Sequence, residues 1–254
     1  MRLCSSTIFA AFLLLTTGCA SYTTPGAAAN MRDLGATEEM KRIGGDSAIN
    51  AEFNKKPLAS FPAAIAAIHV QGPEYQSYSW RRPPEAPAGK YTVITKREAE
   101  TDADIERLQK MPMVAGIAPM NSLLFDGPTN NEKDLRMAAA KVQADMVLIY
   151  TFETKFYVKD FSTPVSIISL GLSPNQQARV STTASAILMD TRSGYIYGVA
   201  ETTAESKQLT NAWQSSDAID DTRKRTEKTS FTQLVGELEK TWPNVVKQYA
   251  KPTG

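Results

Sequence analysis

Thiols and imidazoles are almost missing from this chain: 254 residues hold two cysteines and one histidine. Cys4 and Cys19 both sit near the N-terminus, so the remainder has no internal disulfide and no thiolate nucleophile. A lone His69, with no cysteine pair, excludes the His/Cys spacings that bind zinc. No G-x-S-x-G elbow accompanies it, so a Ser–His nucleophile has no local signature. Glycine-rich phosphate loops and D-x-[DN]-x-[DN]-G calcium loops are missing as well. The sequence therefore calls for no cofactor and no metal, and no pattern in it builds a catalytic site. An excess of one charge is also missing, with 28 Lys+Arg against 27 Asp+Glu. Without a basic run or face, a nucleic-acid partner is not expected.

What is present begins at the N-terminus. Arg2 gives a positive n-region, and Thr7 to Leu15 (TIFAAFLLL) gives an apolar h-region of nine residues. Such a run reaches roughly 14 Å as a helix, about half of a hydrocarbon core, so it is a leader and not a membrane span. "LLLTTGCAS" then offers two cleavage sites. Gly18-Cys19-Ala20 fits ordinary signal peptidase, with cutting before Ser21. Thr17-Gly18-Cys19 resembles a bacterial lipobox, although Thr16 stands where leucine is usual, with cutting before Cys19 and acylation of its thiol. The lipidated reading is preferred, because cysteine directly after an h-region is rare unless it is used. It makes residues 1–18 a signal peptide and Cys19 the lipidation site, and the membrane becomes a partner through that lipid. Ala20, in place of aspartate, directs the expectation to the outer membrane, facing the periplasm. Residues 19–45, rich in Ala, Thr, Gly and charge, read as a flexible tether.

Residues 46–254 read as one α/β domain. Asp46 is a candidate N-cap for a short helix that carries Ile49 and Phe53 on one face and ends before Pro57. Ala63 to Val70 (AAIAAIHV) and Tyr91 to Thr95 have strand character, as does Val114 to Met120. Asp102 to Lys110 and Asn131 to Gln143 are amphipathic, the second with Leu135, Ala138, Ala139 and Val142 on one face. Long strands are expected over Asp145 to Val158 and Arg179 to Asp190, then a turn through Gly194 and a third strand from Tyr195 to Thr203. From Phe231 onward the apolar residues fall at steps of three and four, a helix whose Pro243 should kink or restart it. The preceding DDTRKRTEK, 220–228, pairs Asp220 with Lys224 and Asp221 with Arg225 at i,i+4, the pattern of a solvated face. His69 reads as a strand-end residue, exposed or hydrogen-bonded. Glu98 and Glu100, like Asp220 and Asp221, are neighbours in sequence that do not face one another. Two loops stand apart. In 79–90 (SWRRPPEAPAGK), Trp80 and its arginines precede a proline-stiffened stretch. In 161–177, the apolar octet Val165 to Leu172 (VSIISLGL) lies between two prolines and reads as a segment folded back over the sheet.

From 131 to 205 the order is helix, "ADMVLIYTFET", long hairpin, "ASAILMDTRSGYIYGVAET". This order is similar to the domain of the curli-secretion lipoprotein family and the N-terminal domain of the TolB type. In that family a helix runs into an "A-[DK]-hydrophobic" strand, and two strands meet at a "D-x-x-[ST]-G" turn. Ala144, Asp145, Asp190, Ser193 and Gly194 stand at those positions, over about a third of the chain. The resemblance implies a domain used for binding rather than catalysis. The expected architecture is a mixed, largely antiparallel sheet packed by helices, including a long C-terminal helix. The expected function is a lipid-anchored periplasmic binding or envelope-assembly protein with an envelope protein partner. The alternatives are a subunit of an oligomeric secretion channel and a hydrolase using paired carboxylates.

Overall fold

The computed structural model describes residues 28–31, 45–75, 89–125, 127–160, 176–210 and 215–250. The elements in chain order are α1 (Gly45–Asn54), β1 (Ala63–Gln71), β2 (Thr92–Val93), α2 (Asp102–Gln109), β3 (Val114–Pro119), α3 (Glu132–Lys141), β4 (Met146–Asp160), β5 (Gln176–Asp190), β6 (Ile196–Thr210) and α4 (Ser215–Tyr249). The sheet runs β2-β1-β4-β5-β6, with β3 also on β1. β1 is parallel to β3 and β4, while β1–β2, β4–β5 and β5–β6 are antiparallel. The expected fold class, a single α/β domain with a mixed sheet and a long C-terminal helix, is what the chain adopts.

Alternation along β1 builds two cores. Ala63, Ile65 and Ala67 join Leu148, Leu188, Phe231, Leu234 and Trp242 beneath α2 and α4. Ala66, Ile68 and Val70 join Val147, Ile149, Leu135 and Ala139 beneath α3. Helix starts follow side-chain capping. The Thr101 hydroxyl accepts from the Asp104 backbone N–H, and Asn131 accepts from Lys133 and Asp134, each within a capping box. Asp102 opens α2 as expected, but the cap is the threonine before it. In α3 the face is Leu135, Ala138 and Ala139; Val142 is the C-cap and partly exposed, because the helix stops two residues early.

Several expectations need correcting. α4 runs unbroken from Ser215 to Tyr249 with Pro243 inside it, neither ending nor restarting there. β6 extends to Thr210, seven residues past the expected end, because its ladder with β5 continues to Gln176↔Thr210 where side-chain alternation fades. α1 forms, but it already includes Gly45, so Asp46 lies in its first turn and does not cap it; Ile49 and Phe53 are 54% and 78% exposed, and nothing among the described residues covers their face. Part of the segment read as tether touches the domain. Ala28 bridges Gln71, and buried Ala29 donates its N–H to Thr151 Oγ1 at 2.9 Å. Cys19, Trp80 and the octet 165–172 lie outside the described residues.

Candidate functional site

α4 covers one sheet face along its whole described length, and its two halves meet the sheet differently. Near its start the contacts are polar. Arg223 is fully buried and donates to Asp220 Oδ1 at 2.9 Å, Glu227 Oε2 at 2.6 Å and Glu98 Oε2 at 2.9 Å. Glu227 Oε1 accepts from Thr154 Oγ1 at 3.1 Å, and that hydroxyl lies 3.0 Å from Thr182 Oγ1. Lys224 reaches Asp220 at 2.8 Å, as its spacing predicts. Arg225 instead donates to Thr222 Oγ1. The run 220–228 is therefore not a solvated face. Asp220, Thr222, Arg223, Thr226 and Glu227 are all buried, turned toward the sheet. Spacings of three and four identify which charges can pair but not whether water sees them.

His69 continues this network. Its Nδ1 lies 3.0 Å from Glu100 Oε1, which also accepts from the Tyr150 hydroxyl at 2.9 Å. Its Nε2 is 3.2 Å from Gln71 Nε2, and Gln71 Oε1 accepts from Thr151. The ring stacks on Tyr150 at 5.1 Å and meets Phe152 edge-on at 4.9 Å, while Phe231 of α4 packs on both rings. The expected strand-end histidine is thus a buried, bonded one. Glu98 and Glu100 do not face each other, as expected. Instead one binds Arg223 and the other His69.

Three buried carboxylates, Glu100, Asp220 and Glu227, and the half-buried Glu98 are gathered around Arg223, Lys224 and His69. Burial works against the charged form of Glu100. The attraction and hydrogen bond of His69, with backbone and Tyr150 bonds, outweigh it and hold this carboxyl below its ordinary range. For Glu227 burial wins over Arg223 and pushes the carboxyl up. Burial opposes the charge on Arg223 too, but its carboxylates raise its basicity further. These groups fix charge in the interior. Pairs of this kind specify how elements dock more than they stabilise them.

In the middle of α4, Thr202 Oγ1 donates to Ser230 O at 2.9 Å and Ser230 Oγ to Thr202 O at 3.2 Å, joining helix to β6. Beyond this clamp the contacts turn apolar, and the packing opens into a cavity of about 240 Å³. Its walls include Ile65, Leu108, Leu148, Leu188, Trp242 and Val245. Trp242 is pinned by its Nε1–H donating to Pro112 O at 2.6 Å, and α2 is held on α4 by Arg107 with Glu239. Among the described residues, no Asp, Glu, Lys, Arg or His lines the space.

The turn residues are structural. Asp190 Oδ1 accepts from the Arg192 and Ser193 N–H groups, each at 2.9 Å, and Oδ2 from Leu58 N–H at 2.6 Å and the Tyr197 hydroxyl at 2.8 Å. Burial opposes its charge, but these four donors hold the carboxyl below the usual range. Gly194, at φ +71°, holds a backbone conformation that strains any other residue, and a Cβ there would also have to displace the Arg136 guanidinium. Asp145 accepts from Ala64 N–H at 3.1 Å and pairs with Arg192 at 3.3 Å. Asp145 and Asp190 thereby tie the 58–64 segment to the hairpin, while Ser193 closes the turn by accepting from Tyr195 N–H. Arg223 and the cavity went unrecognised in the sequence; Gly198, a glycine inside a strand pattern, was the one available signal for the cavity.

Among the described residues no cluster of His, Cys, Asp and Glu could hold a metal ion, and no helix is long and apolar enough to cross a membrane. No family model and no curated protein matches this chain. Solved structures with some likeness include a candidate neuraminyllactose-binding hemagglutinin homolog from Helicobacter pylori. It is 11% identical, with 76% of this chain and 95% of that one covered and a TM-score of 0.37. A Xanthomonas campestris protein of family DUF330 is 10% identical, with 76% and 91% covered and a TM-score of 0.35. A candidate lipoprotein from Caulobacter crescentus is 11% identical, with 44% and 78% covered and a TM-score of 0.28. Scores this low establish no common fold and identify no function, so the chain's own residues carry its reading.

Proposed function

We propose that this is a lipid-anchored protein of the bacterial envelope, held on the outer membrane through Cys19 and facing the periplasm, where it binds rather than catalyses. The observation that carries the reading is the leader, with Arg2, nine apolar residues and then Cys19. A non-catalytic role agrees with the state of the titratable groups. His69 and the buried carboxylates are engaged with one another inside the domain. A channel subunit would need lipid-facing apolar residues alternating along its hairpins. The open face of β4–β6 instead carries Glu153, Lys155, Arg179, Thr183, Thr203 and Glu205, several paired across strands.

The test is metabolic labelling with a fatty-acid probe, comparing the full chain with Cys19→Ser. Label on the parent and none on the variant is the expected result. Equal labelling of both, or none on either, would return the chain to an ordinary exported protein cut before Ser21.

A further inference from the structure

We infer that the cavity beneath the C-terminal half of α4 is a binding site for one apolar chain of about ten carbons that ends in an uncharged polar group. The assignment rests on the binding reading alone and not on the anchor. Size comes first. A cavity of about 150 Å³ takes benzene, with six carbons, so the 240 Å³ here suits about ten. Lining comes second. Ile65, Leu108, Leu148, Leu188, Trp242 and Val245 offer only apolar contact inside, where water has too few partners.

The shape is set by backbone features that are unfavourable without an occupant. Gly198 lies within β6, where glycine weakens a strand and often marks the close approach of a ligand. A Cβ built at Gly198 meets nothing within 4 Å, so an ordinary side chain would have room there. Its register partner is Leu188, beside a shift in the β5–β6 ladder between Leu188 and Met189. That irregularity turns Tyr197 into the wall, where its hydroxyl is held by Asp190. Protein interiors normally close voids of this size. The glycine and the bulge keep this one open.

The end of the chain is fixed by the mouth. Thr241, Asn244 and Gln248 are exposed lining residues at steps of three and four on one face of α4. A hydroxyl and two amides can hydrogen-bond an alcohol, ester or amide. With no cationic residue among the described lining residues, a carboxylate or phosphate finds no counter-charge there.

The test uses the full chain carrying Cys19→Ser, so that no acyl group of its own competes, titrated with decan-1-ol in detergent-free buffer by calorimetry. Saturable binding of one equivalent with a raised melting temperature is expected. Gly198→Leu, which fills the cavity from β6, should bind at least tenfold more weakly while melting no lower than its parent. Leu238→Trp fills it from α4 and serves if the first variant fails to fold. Absence of saturable binding, or full affinity in a folded filled variant, would overturn the assignment. Decanoate at neutral pH should bind at least tenfold more weakly than the alcohol; equal affinity would overturn the uncharged end. Dihexanoylphosphatidylcholine should not displace the alcohol, and displacement would make the occupant a membrane lipid instead of a single chain. None of these outcomes bears on the anchor, which acyl labelling decides by itself.

Discussion

The two halves of α4 rest on the same face of the same sheet, yet one is filled with charge and the other is hollow. The first half commits a buried guanidinium to three carboxylates, two from its own helix and one from a segment 125 residues away. Such a site admits one arrangement of helix and sheet, because any slip leaves a buried ion unpaired. The second half is held by Trp242, Val245 and Leu234 against apolar strands, around space that nothing among the described residues occupies. The contrast teaches that one helix can be positioned rigidly by its polar end and left adaptable at its apolar end.

Removing the charge anchor should produce the largest effect. Arg223→Met leaves buried Asp220 and Glu227 and half-buried Glu98 without their cation, and a loss of about 3–5 kcal/mol in chemical denaturation is expected. Next come two glutamates of the same cluster, with opposite pH signatures. The Glu100 carboxyl is held below its unfolded value of 4.5, so its stabilisation is present above that pH and is lost as pH falls through the folded value. Glu100→Gln should therefore cost about 1–3 kcal/mol near neutrality, with the deficit narrowing in acid. Glu227 is raised above 4.5, so its contribution is complete below that pH and fades as pH rises through the folded value. Glu227→Gln should show its greatest deficit in acid and a smaller one near neutrality. Melting curves of both variants between pH 3 and pH 8 (a range of roughly five decades in proton activity around the carboxylate values) check the crossing. Parallel curves would mean the two carboxyls share one environment.

At the apolar end the effects should be smaller. Trp242→Phe keeps most of the ring but loses the bond to Pro112 O, for a cost of about 1 kcal/mol in the same denaturation assay. Smallest, and of opposite sign, is Gly198→Ala. Its methyl enters open space, and reduced freedom of the unfolded chain should stabilise by about 0.4–1 kcal/mol. A destabilised Gly198→Ala would mean the backbone there needs glycine for its own conformation.

Much of the frame was legible because local pattern and tertiary role coincide. The run AAIAAIHV is nearly all apolar because β1 is central, flanked on both sides and buried on both faces. Asp190, Ser193 and Gly194 announced the hairpin because the turn needs an acceptor for its N–H groups and a positive φ. The charged half of α4 was misread because Arg223 owes its burial to Glu98, and no window of sequence contains both. The cavity was illegible for a related reason. A wall is made by residues from seven elements, and its only local trace is a glycine where a strand former was expected. Whether Cys19 carries a lipid is a matter of chemistry after synthesis, and geometry of the domain does not bear on it.

The central place of β1 has a consequence for how the chain reaches this structure. Its two parallel neighbours arrive late, β3 about fifty residues downstream and β4 about eighty (both counted as the separation of paired positions, which sets the loop to be closed). β4, β5 and β6 instead follow one another as an antiparallel meander. Contacts between distant segments form slowly, because loop closure must precede their reward. During that interval the meander can assemble while β1 waits with both edges unpaired and both faces apolar. A newly made or refolding chain thus exposes its most adhesive strand for the longest time, so recovery from denaturant should fall as protein concentration rises.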